Sequence, residues 1–518
     1  MSAEPRDYAV EMATPASGRQ HHDQDDMSNV QKEKADASHT DVGARLIAGA
    51  TVEFDEAVMR RALWKIDLWV LPLLALTTML QFLDKSTLGY AAIFGIVEDT
   101  GLKGTDYSWL ASIFYFGYLL MQPIAAHILQ KLQPAKCLAA SVFLWGVILF
   151  LHVVCDNWGK LMTVRFFLGM AEGVVTPAFM LISSAWYARK DQPLRMGIWF
   201  SFNGVALILG GILAYGLGHI HVGIASWKWM FLVTGALSVV WAVLLWFLLP
   251  DHQGTAWFLD EAEKHAAVEM VRLNHTGIHN NKFRSDQLVE ALTDVKTWIF
   301  FLMATIWNVP NSIATFGNLV IKNFDYGVLE TTLLGMPSGA LEFVVMIAIT
   351  YICLRLSNTR TWCMTAALIL ALVGSVMVFA APYNNKAALL CGYYLVYAFP
   401  TGYILLLAMA SANVAGHTKK VVTNSLLLIG YSAGNIIGPQ FFKTEQQPRY
   451  PLGMGSCLVS FAILILMTVA LRFYLVWQNK SRASARQAME ESNTEEELAQ
   501  YGFRNLTDKE NPMFVYVY

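Results

Sequence analysis

The chain has 518 residues, of which 55% are hydrophobic and 15% charged, and its formal net charge is −2. Soluble domains carry about 25% charged residues, so this balance excludes an ordinary soluble globule. A charge so close to zero says nothing about nucleic acid, which is not an expected partner. In chain order, residues 1–55 are rich in Asp, Ser, Gln, Glu and His and read as a disordered tail on the cytoplasmic side. His21 and His22, inside "HHDQDD", are assigned to solvent rather than to a metal. Twelve apolar runs follow, near 66–94, 107–130, 136–154, 158–187, 194–217, 227–249, 297–320, 332–354, 361–381, 387–413, 421–442 and 453–477. Each is long enough to cross about 30 Å of hydrocarbon as a helix. Helices satisfy every backbone group in lipid without a closed barrel, and the alternating ten-residue strands of a barrel are absent. The first run is too long and too late for a cleaved signal sequence.

The runs divide six and six. The expected organisation is a six-helix half over 56–250, a cytoplasmic central loop over 251–296, a second half over 297–478, and a cytoplasmic tail over 479–518. The loop holds "FLDEAEKHAAVEMVR", whose Leu259, Ala262, Ala266, Ala267, Met270 and Val271 form one amphipathic stripe. Lys and Arg set the orientation. One class of loop carries Lys131, Lys136, Arg189, Lys190, Arg195, Lys264, Arg272, Lys282, Arg284, Lys296, Arg355, Arg360, Lys419 and Lys420. The other carries Lys103, Lys322, Lys386, Lys443 and Arg449, so both termini are expected in the cytoplasm. The sequons at Asn274, Asn479 and Asn505 then face the wrong side for glycosylation. The six cysteines (137, 155, 353, 363, 391 and 457) show no metal-like pairing and are expected to be free and mostly buried.

The halves share features. The fifth run (Gly204, Gly210, Gly211, Gly216) and the eleventh (Gly430, Gly434, Gly438, Pro439) are both rich in small residues, which allow close helix approach. The first run of each half carries polar groups: Asp84 and Lys85 in one, Asn308 and Asn311 in the other. Two such halves with a site between them is how many secondary transporters are built.

A charge at bilayer depth costs about 2.5–3.5 kcal/mol even on lenient scales, and it faces a partner or a watery cavity. In "RFFLGMAEG", Arg165 and Glu172 are seven residues apart. Two helical turns put them on one face, about 10.5 Å apart along the axis, too far for an easy mutual pair. Arg165 suits a carboxylate, and a glutamate in low dielectric can exchange a proton near neutral pH. Gly169 and Gly173 are expected to serve packing. Asp84 is a second candidate for proton exchange and Lys85 a second anion contact, one of them expected to face Arg165 or Glu172 across the bundle. Candidate cavity-lining groups are Asn203, Asn308, Asn311, Glu342, Tyr397, Tyr431 and Asn435, with Asn413 and Asn424 as further polar groups in apolar helices. No metal triad, nucleophile elbow or phosphate loop is present, so no enzyme, metal site or cofactor is expected; the expected energy source is a proton gradient.

These residues carry a resemblance. The arrangement looks like the major facilitator superfamily: an all-α membrane protein of twelve transmembrane helices in two six-helix halves. "AAHILQKLQPAK", between the second and third runs, lacks the superfamily's usual Asp and Arg, and resembles the anion:cation symporter branch in this. "RFFLGMAEGVVTPAF" is similar to that branch's R-x-x-x-G-x-x-E-G-x-x-x-P pattern, which implies anion positioning by Arg165 and protonation of Glu172. An acid–base pair in the branch's first helix implies matching roles for Asp84 and Lys85. "NHTGIHNNKF", "VEALTDVKTWIFF", "IGYSAGNIIGPQFF", "PRYPLG" and "LTDKENPMF" resemble the fungal allantoate permease family over about residues 55–518, with Val295 where Pro is usual and "FVYV" where Arg often follows Phe. The expectation is a proton-coupled symporter of a small organic anion, of allantoate, ureidosuccinate or nicotinate type, acting as a monomer in the plasma membrane by alternating access. The alternatives are an exporter of an acidic or aromatic secondary metabolite and a non-transporting nutrient sensor.

Overall fold

A computed structural model describes residues 56–188, 191–220, 223–272, 284–356, 358–492 and 506–518. The tail over 1–55 with His21 and His22, together with Arg189, Lys190, Lys282, Asn274, Asn505 and "NHTGIHNNKF", lies outside the described residues. The fold is all-helical among the described residues, with twelve helices long and apolar enough to span a membrane. In order they are Glu56–Ile93, Asp106–Lys131, Pro134–Val154, Trp158–Trp186, Leu194–Gly218, Ser226–Leu248, Val295–Lys322, Val328–Arg355, Arg360–Ala380, Lys386–Asn413, His417–Phe441 and Pro451–Ser484. They are called spans one to twelve below. Spans alternate in direction, so one face of the bundle carries residue 56, the central loop and residues 506–518. It is called the tail face, and the other the far face.

Four spans are interrupted where the sequence weakens the helix. Span four breaks after Glu172 at Gly173–Val174, and span eight at Gly335, ahead of Pro337. Span seven passes through a tighter turn at Pro310–Ser312, and span ten breaks before Pro400. Proline removes a backbone donor and crowds the preceding turn, and glycine lowers the cost of leaving the helix. The breaks in spans four, seven and ten fall near mid-length, and that in span eight falls in its first third. Broken helices at mid-depth are tolerated where neighbouring protein or a cavity satisfies the freed backbone groups. Gln122 donates to the carbonyl of Gly173 at 3.1 Å, closing the break in span four.

Glycines set the close crossings. A Cβ on Gly169 would collide with the Phe114 carbonyl oxygen, and one on Gly117 with that of Phe166, so spans two and four touch through their backbones. Gly173 lies against Met121 and the Tyr118 carbonyl. The packing role expected of Gly169 and Gly173 is thus a contact with span two. Between halves, Gly204 of span five meets Gly339 of span eight in the same way. Gly216 meets nothing within 4 Å and has no such role.

The central loop forms two helices, Glu261–Arg272 and Ser285–Thr293, where one was expected. Leu259, Ala266, Ala267 and Val271 are buried as the stripe implied, but Ala262 is exposed. Glu263 takes a buried place instead and pairs with Lys65 of span one at 2.7 Å. The last helix runs to Ser492, past the expected end near 477, because "ASARQAMEES" is rich in strong helix formers. Asn479 is committed to the backbone of Tyr516 through both its amide groups, at 2.8 and 2.9 Å. All six cysteines are free as expected, and four are buried, with Cys353 half-buried and Cys391 exposed on span ten. The far face also carries Lys160 and Lys228, at the starts of spans four and six.

Candidate functional site

Between the halves lies a cavity of about 310 Å³. Its wall runs from mid-depth toward the tail face: Thr78 to Lys85 on span one, Val175 to Met180 on span four, Met196 to Asn203 on span five, and Asn424 to Tyr431 on span eleven. The far-face end is sealed. Ser112 donates to the Ile436 carbonyl at 2.7 Å and accepts from Gln440 at 2.9 Å. Ser108 donates to the Phe442 carbonyl at 3.1 Å, and the Tyr107 hydroxyl lies 3.1 Å from the Thr315 carbonyl. Gly89 lets span one lie against the backbone of span seven, where a Cβ would come within 2.9 Å of the Thr315 oxygen.

Ten of the thirty residues on the wall are aromatic. Tyr115 and Tyr118 lie one helical turn apart on span two and meet Tyr431 of span eleven, with ring centroids 5.9 and 5.8 Å away. Tyr403 of span ten packs on the other side of Tyr431 at 5.8 Å. The Tyr118 hydroxyl donates to Thr176 at 2.7 Å. Tyr118, Tyr403, Trp307, Phe179 and Trp199 line the cavity, and none of them stands out in the sequence as a cavity residue. Tyr118 follows Gly117, and that glycine faces span four. The combination of a small packing residue and a flanking aromatic in an apolar run was the available signal.

The charged residues separate into those on the wall and those behind it. Lys85 is on the wall, and its ammonium lies 3.6 Å from Oε2 of Glu172, which is fully buried. It also lies 5.6 Å from the centre of the Phe114 ring and 5.9 Å from that of Tyr118, over π faces that favour a cation. At 3.6 Å the ion pair is too long to be a hydrogen bond, and both Glu172 oxygens lack a hydrogen-bond partner. The pairing across the bundle expected for span one thus falls to Lys85, and its partner is Glu172. Arg165 is buried and is not on the wall in this conformation, and its Nη2 has no hydrogen-bond partner. Asp84 points away from the cavity into the first half, where Ser238 of span six donates to its Oδ2 at 3.1 Å while Oδ1 is unpartnered. A consecutive pair on one helix diverges by about 100°, which explains why Asp84 and Lys85 face different surroundings.

Of the other candidates, Asn203, Asn308, Asn311, Glu342, Tyr397, Tyr431 and Asn424 are on the wall. Asn435 stands behind, donating to Asn308 at 3.1 Å and accepting from Asn311 at 2.6 Å, so an amide chain ties span seven to span eleven beside the cavity. Asn413 lies far from it, bonded to Val517 near the chain end.

A family model described as Major Facilitator Superfamily matches residues 74–439. An uncharacterised transporter of Schizosaccharomyces pombe is 38% identical over 475 residues, covering 92% of this chain and 90% of its own. The allantoate permease of Saccharomyces cerevisiae is 34% identical over 473 residues, covering 88% of this chain and 86% of its own. Among solved structures, a bacterial homologue of the human lysosomal transporter Spinster, in an inward-facing and occupied conformation, superposes with a TM-score of 0.54 at 15% identity, over 79% of this chain and 96% of that one. At that identity the likeness is one of fold.

Proposed function

This chain belongs to the major facilitator superfamily, and from that premise we propose that it is a proton-coupled symporter importing a small organic anion across the plasma membrane, with its tail face in the cytoplasm. It is a multi-pass membrane transporter and not an enzyme. The observation that carries the finer reading is the Lys85–Glu172 pair at 3.6 Å, with Lys85 on the cavity wall and Glu172 behind it. One ammonium is shared by two possible anions. While Glu172 is ionised, it holds Lys85 and competes with a substrate carboxylate. Protonating Glu172 removes the competitor and leaves Lys85 free for the anion. Proton and anion then bind together, and the loaded carrier has a neutral Glu172 and a compensated Lys85. A neutral pair crosses a low-dielectric barrier more cheaply than an isolated charge.

Arg165 lies about 10.5 Å nearer the far face on the same helix. Its role in this scheme is to hold a positive potential at that end and to meet the anion when the cavity opens there. Asp84, buried with one unpartnered oxygen, is the second proton site. The kinship with an allantoate permease supports a carboxylate bearing ureido groups as the substrate. Alternating access follows as rocking of the halves about the mid-depth site.

Uptake by purified protein in liposomes tests this, with allantoate, ureidosuccinate and nicotinate as substrates and an inwardly directed proton gradient imposed. The wild type is expected to accumulate one of them. Glu172→Gln, which mimics the protonated acid, should lose gradient-driven accumulation by at least tenfold while still exchanging labelled for unlabelled substrate. Undiminished accumulation by that variant rules out the proton role. Efflux driven by an outward substrate load with no gradient-driven uptake identifies an exporter instead.

A further inference from the structure

The two helices of the central loop treat their apolar residues in opposite ways. Glu261–Arg272 packs on span one and buries most of its apolar stripe there. Ser285–Thr293 keeps its apolar residues on the outside. Its buried residues are Gln287 and Ala291, whereas Val289 is 60% and Leu292 44% exposed. At about 100° per residue, Leu288, Leu292 and Val289 share one edge of the helix. Asp286, Glu290 and Thr293 share the other, and Gln287 and Ala291 point into the protein between them. The outer surface is therefore split lengthwise into an apolar edge and a polar edge.

The inward side is polar and committed. The Gln287 side-chain oxygen accepts from the amide of Thr418, at the start of span eleven, at 3.0 Å. Glu290 lies 2.8 Å from the Lys419 ammonium. A helix that met water on its outer side would place its valine and leucines inward and its amide and carboxylate outward, and this one does the reverse. The apolar edge also continues onto a membrane span. Val295, Trp298 and Leu302 of span seven are exposed, and none of them lines the cavity. The Trp298 indole N–H donates to the Leu292 carbonyl at 2.7 Å, which fixes the tryptophan at the junction of loop helix and span. Tryptophan concentrates at the boundary between membrane and water. Leu302, two turns into span seven, faces lipid, so the surface that covers it reaches the loop helix through Trp298 without a gap.

We propose that Ser285–Thr293 is a membrane-interface anchor of the second half, with the edge of Leu288, Val289 and Leu292 in lipid at the headgroup boundary of the tail face and the edge of Asp286 and Thr293 in water. The partner is a lipid surface rather than a second copy of the chain, because three side chains on one edge fall far short of the roughly 800 Å² that each partner gives to a stable protein interface. The anchoring is apolar. The helix holds no lysine or arginine, and Arg284 just before it is paired with Asp286 and Glu510. Interfacial helices that select anionic lipid carry lysine and arginine on their polar face, so this one is indifferent to headgroup charge. The helix that meets lipid on one edge also caps span eleven through Gln287, and span eleven carries part of the cavity wall. Lipid packing at the anchor thus bears on the base of a wall-forming span.

The test uses the full chain with its six native cysteines replaced, in lipid nanodiscs, with a bimane fluorophore attached through Leu292→Cys or, separately, Thr293→Cys. Both side chains are exposed, so neither label disturbs the interior. Phosphatidylcholine carrying a nitroxide near its headgroup should quench the label at 292 about threefold more than the label at 293, and aqueous iodide should show the opposite order. Adding Val289→Asp should lower lipid quenching at 292 about twofold, and Val289→Leu should preserve it. The pattern should be the same with and without phosphatidylserine. Equal quenching at the two positions, or indifference to Val289→Asp, overturns the proposal. Protection of 292 from both quenchers overturns it in favour of a protein contact. A pattern that needs phosphatidylserine overturns apolar anchoring.

Discussion

A single residue in a membrane bundle is held to its role by what it displaces. Gly169 shows this plainly: its missing side chain is the space that the Phe114 carbonyl oxygen fills. Replacing it with valine forces spans two and four apart, and overpacking of this kind costs about 1–3 kcal/mol or more. The expected outcome is a lower melting temperature for Gly169→Val in a fluorescence-detected size-exclusion assay, with Gly216→Val unchanged because nothing lies within 4 Å of that glycine. Displacement of the spans also moves Glu172 relative to Lys85, so Gly169→Val should lose transport at temperatures where it is still folded. Arg165, Glu172, Asp84 and Lys85 were all legible in the sequence, because a charge inside an apolar run is conspicuous. Their partners were not. Helical geometry excludes an easy pair between Arg165 and Glu172 but does not say that Lys85 reaches Glu172 from another helix, nor that Arg165 stands behind the wall. Those facts depend on how spans one and four are rotated about their axes, which is set by packing. The aromatic wall was hidden for a related reason: Tyr118 and Tyr403 look like any interfacial tyrosine until the cavity is in place.

Among the elements, residues 506–518 depart furthest from the expectation of a polar tail. The segment folds back onto the tail face of the second half and brings Asp508 into its interior. There Lys419 of span eleven lies 2.8 Å from Glu290, 2.6 Å from Asp294 and 2.7 Å from Asp508, while Lys296 of span seven pairs with Asp508 and lies 3.7 Å from Asp294. The three carboxylates converge within 4.8 Å, and the lysine ammonium sits among them as a built-in counterion. Burial works against the charged form of Asp508, but Lys296 and Lys419 outweigh it and hold its carboxyl below the ordinary range. Breaking a buried pair by removing one partner costs about 3–5 kcal/mol. Asp508→Asn should therefore lower the melting temperature, and should raise hydrogen exchange at the amides of Tyr516 and Val517, which are bonded to Asn479 and Asn413 at 2.9 and 2.7 Å. The pH dependence has a definite sign. A carboxyl whose pKa is depressed by folding stabilises the protein above its unfolded pKa, and that contribution is lost as pH falls through the folded value. Tail docking should be constant between about pH 5 and 8 and loosen below about pH 4, read as increased mobility of a fluorophore attached at residue 518. Existence and order of the spans were legible because their periodic apolar length is unambiguous. The helix breaks and the docked tail were not, since both depend on contacts between segments far apart in the chain.

At the scale of the whole molecule, the seal on the far face and the cavity reaching toward the tail face match one of the two states of the rocking cycle proposed above. The seal is made of hydrogen bonds from side chains of span two to backbone carbonyls of the second half and of one from Gln440 to Ser112, with no ion pair among those named, so its parting exposes few charges. In a variant whose six native cysteines are replaced, a cysteine at Asn424 should react with a membrane-impermeant maleimide added from the tail face, and bound substrate should protect it. A cysteine at Ser108 should be inert from the far face in this state and gain reactivity when an outward gradient biases the halves the other way. Equal reactivity of both positions from both faces would mean that the seal described here does not close. The docked tail has a consequence for how the protein is made. Residues 506–518 leave the ribosome after all twelve spans, yet Lys296 and Lys419 enter the second half before them with part of their counter-charge still missing. Until that segment arrives, that half carries two under-compensated lysines at its tail-face base. A ribosome that stops short of Asp508 would thus release a bundle with every helix present and its second half unfinished, a form that cellular quality control could recognise by charge alone.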